Sequence, residues 1–297
     1  MMVETLDVQE KVLEKSAYRD DMLKLLALVT MLVDHIGYMF FPNEMFFRII
    51  GRLAFPIFAY HIALGYSRTS NPKKYVLRLF FFALITQLPY SFFNPSLKFN
   101  PIHLNILFTF LMAIGLLYVY DMGILKIRNF IKDKNYVHLL WGMMLLVLAV
   151  IIIILPEVIS FMVKGFYLEY GLLALVLVLL FHVFQEKTVT AAIGIVLLYL
   201  LHGYYRVALF NSAYSSALFW RNLFNFKFVW NKLDFQNGLS QLQRYYLNGL
   251  GIFALIPIFG SAHIDSRTIT LNKYVGYIFY PAHMTLLIII AVLLKSY

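Results

Sequence analysis

Long unbroken apolar runs, rather than alternation, set the pattern of this chain. Blocks such as "LLVLAVIIIIL" at 145–155 have no polar stripe on any face. Several runs reach the ~20 residues that a helix needs to cross a bilayer. Short polar or basic stretches separate them, and they predict helical spans at about 22–41, 44–66, 75–93, 103–120, 138–156, 167–184, 188–204, 206–220, 245–260 and 272–294. The expected fold is therefore all-α, a polytopic membrane protein of about ten transmembrane helices. The segment at 206–220 is short and carries Asn211, Ser212, Ser215 and Ser216; lying on the surface, it would leave nine. The polar and aromatic stretch 221–244 is expected along the membrane interface. A β-barrel would need short alternating segments, which are absent from the pattern.

Composition agrees. Of 297 residues, 61% are hydrophobic and 13% charged, against roughly half and a quarter in soluble domains. In lipid the backbone must pair internally, which makes the spans helices. A net charge of +10 and a pI near 9.5 would suggest nucleic acid for a soluble domain, but here the cations sit in loops. Arg68, Lys73, Lys74 and Arg78 follow the second span, and Lys126, Arg128, Lys132 and Lys134 follow the fourth, while the intervening loops are nearly free of them. By the positive-inside rule both basic loops and the N-terminus face the cytoplasmic side of the cell membrane; ten spans would place the C-terminus there too. Residues 1–21 read as a charged cytoplasmic extension with no signal peptide, and 22–297 as a single transmembrane domain. The absence of cysteine excludes disulfides, thiolate nucleophiles and Cys-based metal sites.

Ionisable side chains at membrane depth cost roughly 2.5–3.5 kcal/mol each on insertion scales and mark candidate sites. The first span, "LKLLALVTMLVDHIGYMFF", holds Lys24, Asp34 and His35. The eleven steps from Lys24 to His35 turn the helix by three turns plus ~20°, so both share a face ~16.5 Å apart. Arg48 and Arg52 share a face of the second span, and Arg52 returns to the depth of Asp34 and His35. Pro56 is expected to bend that helix and Pro89 to break the next. Gln87, His103, Asn105, Thr109, Glu169 and Tyr170 add polarity, and His283 enters from the last span. Taken singly, His61 and His103 read as helix-to-helix hydrogen-bonding groups, Arg52 with Asp34 as an ion pair, and the loop lysines as topology signals. Convergence of His35, Asp34, Arg52 and His283 at one depth points to a membrane enzyme or a transporter.

At these residues the chain resembles the TraX family, named for a conjugation protein that acetylates the N-terminus of pilin. The resemblance runs through "LKLLALVTMLVDHIG", "RIIGRLAFPIFAY", "GYSRTSNPKKYVLRLFFFALITQLPY", "NILFTF", "YGLLAL" and "KYVGYIFYPAH". The loop before the last span, "FGSAHIDSRT", departs from the family's usual glycine-rich turn. The family is similar to the wider integral-membrane acyltransferases, which place a basic residue and a histidine on the first helix with ten residues between, as Lys24 and His35 stand. The resemblance implies acyl transfer from cytoplasmic acetyl-CoA to a pilin N-terminus or other surface peptide or glycan. It implies His35 as the catalytic histidine with Asp34 beside it, and roles for the arginines of "RIIGR" and "GYSRT…KKYVLR".

In that chemistry His35 is the candidate base. Arg52 would polarise the thioester carbonyl or pair with Asp34, and His283 would orient the acceptor or carry a second proton. Lys24, Arg68, Lys73, Lys74 and Arg78 are the candidate coenzyme A contacts. The expected partners are membrane lipid, acyl-CoA and a surface acceptor, with no nucleic acid. No metal is expected, because the histidines are scattered. The rival reading is a transporter using the same four residues as a proton or anion relay; a third is a non-catalytic assembly factor for surface fibres.

Overall fold

The computed structural model describes residues 2–185, 187–212, 215–233, 246–260, 271, 272 and 274–295, with backbone alone for 2–20, 216 and 295. The protein is an all-α polytopic membrane protein. Among the described residues seven helical stretches are long and apolar enough to cross a membrane, and Gly171–Val183 and Leu247–Gly260 are shorter apolar helices.

Helix α1 runs Met2–Phe40. The second expected span is two helices, α2 (Met45–Gly51) and α3 (Ala54–Arg68). The reason lies in Pro56, which has no N–H to give the carbonyl of Arg52 four residues back. The chain accordingly breaks at Arg52 and Leu53, and Pro56 falls in the first turn of α3, where proline is tolerated. Helix α4 (Pro72–Phe92) starts on an Asn71 cap with Pro72 behind it and continues through Pro89. Strand β1 (His103–Leu104) leads into α5 (Ile106–Asp133), which turns tightly at Lys134 (φ 55°) into α6 (Tyr136–Met162). Gly142, Ala149 and Pro156 are the buried positions of α6. The small Gly142 lets the α6 backbone approach Gly123 and Ile127 of α5 closely, while Pro156 lies against Gly171 at the start of α7.

Strand β2 (Tyr167–Leu168) pairs in parallel with β1, His103 opposite Tyr167. The pairing shortens the span expected at 167–184. Only α7 (Gly171–Val183) is helical there, and its Leu173, Leu175, Leu177 and Val178 are fully buried. At the end of the bundle bearing the basic loops, Asp121 of α5 takes hydrogen bonds from Tyr66 of α3 (3.1 Å) and contacts His182 of α7 (2.8 Å).

Of the two expectations for 206–220, the surface one holds among the described residues, where no separate span forms. Helix α8 (Thr188–Phe210) carries straight through Arg206, whose guanidinium lies over the Phe210 ring. It ends where Asn211 and Ser212 fold back onto the carbonyls of Val207 and Leu209. Two short amphipathic helices follow, α9 (Ser216–Leu223) and α10 (Phe226–Leu233), with Trp220, Phe224, Phe226 and Trp230 exposed. A 3₁₀ segment, Leu247–Ala254, continues into α11 (Leu255–Gly260). The rest of 221–244 and residues 261–268 lie outside the described residues.

The last helix, α12 (Val275–Lys295), overturns one expectation. Asp21 accepts a hydrogen bond from the backbone N–H of Leu271, and His35 meets His283. Both helices therefore start at the basic-loop end and run parallel. The C-terminal end of α12 lies opposite the basic loops, not beside them. The discrepancy comes from the missing span at 206–220, which changes the parity of crossings.

Candidate functional site

Two pairs form on different faces of α1, because neighbours in sequence leave a helix about 100° apart. On one side Asp34 takes a forked contact from Arg52 Nη2, at 2.9 and 3.1 Å, and a second cation, Arg48 Nη1, at 3.0 Å. The approach is close enough that a Cβ on Gly51 would fall 2.1 Å from the Asp34 Cβ. Arg52 also donates from Nε to the Arg48 carbonyl (3.2 Å) and from Nη1 to Tyr170 Oη (3.3 Å) and Asn248 Oδ1 (2.9 Å). Every N–H of its guanidinium is thus engaged. The role of polarising a thioester carbonyl does not fit Arg52, which is a structural clamp joining α1, the α2–α3 break, the start of α7 and the 3₁₀ segment. Arg48 is different. It uses Nη1 on Asp34 and lies over the Tyr38 ring, and its remaining N–H groups stay unbonded among the described residues.

On the other side, His35 Nδ1 stands 2.6 Å from His283 Nε2, and His283 Nδ1 stands 2.6 Å from the Phe279 carbonyl. A carbonyl only accepts, so His283 Nδ1 carries the proton there. With both rings neutral, His283 Nε2 accepts from His35 Nδ1–H, and His35 Nε2 keeps its lone pair. His283 is 5% exposed and lines neither of the two cavities at this depth. It stands behind His35 as a positioning group, so direct contact with an acceptor does not fit it.

Two cavities meet at this depth. One, of about 530 Å³, is walled by His35, Asp34, Arg48, Arg52 and Glu169, and the exposed residues Ser96, Lys98 and Asn100 mark its mouth at the end opposite the basic loops. The other, of about 370 Å³, is lined by Lys24, Arg68, Arg78 and His61 at the basic end. They share Met31, Phe58, Ile106 and Tyr280, a partition one side chain thick. His35 belongs to the first cavity alone. Among the candidate coenzyme contacts, Lys24 pairs with Asp21 (2.8 Å) and still reaches the basic cavity. Arg78 lies over the rings of Tyr75 and Tyr277, and its Nε is buried without a hydrogen-bond partner. Lys73 and Lys74 stand exposed in the first turn of α4, outside the lining.

A further cluster was not assembled from the sequence. Glu169 accepts from Tyr90 and faces His103 Nε2 at 3.2 Å, and its backbone carbonyl takes the Thr109 hydroxyl at 2.7 Å. Gln87 and Asn105 hold the neighbouring strand β1, through Gln87 Nε2 to the His103 carbonyl (2.8 Å) and Asn105 Nδ2 to Gln87 Oε1 (2.9 Å). Tyr170 and Gly171 both take positive φ, 59° and 33°, which turns the chain sharply into α7 and aims Glu169 inward. Each residue was visible as a polar interruption, but only the β1–β2 pairing brings them together. Among the described residues, no three metal-ligating side chains converge.

Fold and site together define a multi-pass helical membrane protein with a histidine pair and a clamped ion cluster between two opposed cavities. The chain belongs to the TraX family: the model of the TraX protein family matches residues 19–291. A stretch of 74 residues is 38% identical to an uncharacterized protein of Rickettsia prowazekii, covering 25% of this chain and 27% of that protein. Another of 103 residues is 30% identical to the Probable fimbrial assembly protein FimC, serogroup H1, of Dichelobacter nodosus, covering 31% of this chain and 42% of that one. The matches thus span less than half of either relative. No solved structure matches the chain.

Proposed function

We propose that the protein is an integral-membrane acetyltransferase that moves acetyl from acetyl-CoA to a cell-surface acceptor, in the setting of pilus or fimbrial assembly. Family membership and the fimbrial relative support the setting. The observation that carries the chemistry is the relay from the Phe279 carbonyl through His283 to His35, which leaves a basic nitrogen on the ring that lines the larger cavity. The basic-loop end faces the cytoplasm of the cell membrane, and the donor enters there. Lys24, Arg68 and Arg78 receive its phosphates, and the pantetheine arm passes the partition. The acceptor enters from the opposite end. His35 Nε2 takes its proton as the nucleophile adds to the thioester carbonyl. The free N–H groups of Arg48 stabilise the oxyanion. As the C–S bond breaks, the imidazolium returns the proton to the departing thiolate.

The test is incubation of the purified protein with labelled acetyl-CoA and a membrane extract of its host. His35→Ala is expected to abolish labelling while the protein still inserts. Full labelling by that variant would remove the mechanism. One observation favours the rival reading: two cavities opening to opposite ends with a thin wall between them also suit a proton- or anion-coupled carrier. Acetyl-CoA at ~100 times its Kd should stabilise an acetyltransferase by ~2.7 kcal/mol, whereas a carrier of another solute should not respond.

A further inference from the structure

Acidic side chains are missing from one long stretch of the chain. Between Lys187 and Leu233 there is no Asp or Glu, while Arg206, Arg221, Lys227 and Lys232 fall within it. The stretch forms α8, α9 and α10. Helix α7 brings His182 to Asp121 at the basic-loop end, so α8 leaves from that end and finishes at the opposite one. Helices α9 and α10 are docked there. Asn222 Nδ2 donates to the Asn211 carbonyl (3.1 Å), Tyr204 Oη donates to the Leu223 carbonyl (2.6 Å), and Val229 is buried with Val207. The outer side of this platform sets rings beside cations. Trp220 stacks on Phe224 and Phe226 on Trp230, with centroids 6.1 and 6.0 Å apart, and all four are more than half exposed. Arg221 and Lys227 stand exposed next to them. Rings at headgroup depth with cations in reach of phosphates are the furniture of a bilayer interface.

Behind the platform, Arg206 lacks an anion. Its guanidinium lies 4.8 Å over the Phe210 ring. Its Nε is buried without a hydrogen-bond partner, and its Nη groups make no hydrogen bond among the described residues. Tyr167, Tyr205 and His202 stand within electrostatic reach and are all uncharged groups or a neutralisable ring. The carboxylate of that neighbourhood, Glu157, takes the Tyr205 hydroxyl at 2.5 Å and forms no ion pair with Arg206. The residues before Arg206 tie it to the platform, since Tyr205 meets Phe219 edge-on and Tyr204 lies on Phe226. A guanidinium with its Nη donors unspent presents the fork that fits two phosphate oxygens.

We propose that the end of the bundle opposite the basic loops binds an anionic phospholipid, its phosphate on Arg206 and its headgroup among Arg221, Lys227 and the exposed rings of α9 and α10. The local excess of positive charge selects an anionic headgroup over a zwitterionic one. The rings lie along the acyl chains just below it. Tyr167, which is close to Arg206, also lines the larger cavity, so the headgroup sits one side chain away from that wall. The site is independent of any transfer chemistry. A free phosphate ion would satisfy Arg206 as well, but it would bring no acyl chain beside the tryptophans.

The chain has three tryptophans, and two of them are Trp220 and Trp230. Trp141→Phe therefore leaves emitters on α9 and α10 alone. The full-length variant is reconstituted in phosphatidylcholine bilayers that contain, at the same low mole fraction, phosphatidylglycerol or phosphatidylcholine with dibrominated acyl chains. Bromine quenches only tryptophans it touches. Brominated phosphatidylglycerol is expected to quench more, as from an about fivefold local enrichment, the effect of one cation near an anionic surface. Arg206→Gln should bring the two lipids close to parity, and Arg206→Lys, which keeps the charge, should restore most of the difference. Equal quenching by the two lipids with Arg206 in place would overturn the headgroup assignment, and that comparison stands even where Arg206→Gln fails to fold. Quenching by neither lipid would show that α9 and α10 face away from the bilayer and overturn the site. A preference for phosphatidylglycerol undiminished in Arg206→Gln would take the phosphate off Arg206.

Discussion

Replacing Asp34 by alanine strands two cations inside the bundle. The Arg52 side chain is only 8% exposed and Asp34 is its one anionic partner among the described residues, while Arg48, at 24%, retains some access to water. Removing one member of a buried pair costs about 3–5 kcal/mol, because the remaining charge stays desolvated. Arg52→Ala is gentler on the charge side. Asp34 keeps Arg48 at 3.0 Å, and what is left unsatisfied is the Tyr170 hydroxyl and the Asn248 amide oxygen, at about 1–3 kcal/mol. The two substitutions should not add, since Arg52→Ala in the Asp34→Ala background removes the charge that was stranded. A coupling of about 0.5–3 kcal/mol is expected, with the double variant less destabilised than the sum. Equilibrium unfolding in mixed micelles at fixed lipid, titrated with sodium dodecyl sulfate, reads all four proteins. Additive effects, or an Asp34→Ala cost no greater than that of Arg52→Ala, would refute the view that this cluster is a clamp with Asp34 at its centre.

Gly51→Ala should cost about 1–3 kcal/mol in the same assay through the clash with Asp34; an unchanged midpoint would show that the α2–α3 break yields freely. Arg68→Ala combined with Arg78→Ala is expected to raise KM for acetyl-CoA with kcat little changed, whereas Lys73→Ala with Lys74→Ala, outside the cavity lining, should leave KM where it was. Equal effects of the two pairs would assign all four residues to topology. His283→Ala is expected to lower kcat more than KM, since it removes the group that sets the His35 tautomer, and a KM effect alone would return His283 to acceptor contact.

The helical membrane class, most span positions and the convergence of Asp34, His35, Arg52 and His283 were legible in the chain itself. The physical reason is that lipid makes apolar run length and the depth of each charge directly readable. Family motifs around "LVDHIGYMF" also made membership of the TraX family legible. Which residue serves which partner was not legible. Arg52 and Arg48 look alike in "RIIGR", and only the folded contacts make one a spent clamp and the other a cation with donors to spare. Periodicity gives His283 a depth, but its place behind His35 depends on α12 running parallel to α1. That direction turns on 206–220, where Asn211 and Ser212 end α8 by local hydrogen bonds and no separate span forms among the described residues. The Glu169 cluster needed pairing between strands more than sixty positions apart. Hydropathy along one dimension sorts residues by depth. Rotation about each helix axis, and the company each side chain keeps, is settled only when the helices pack.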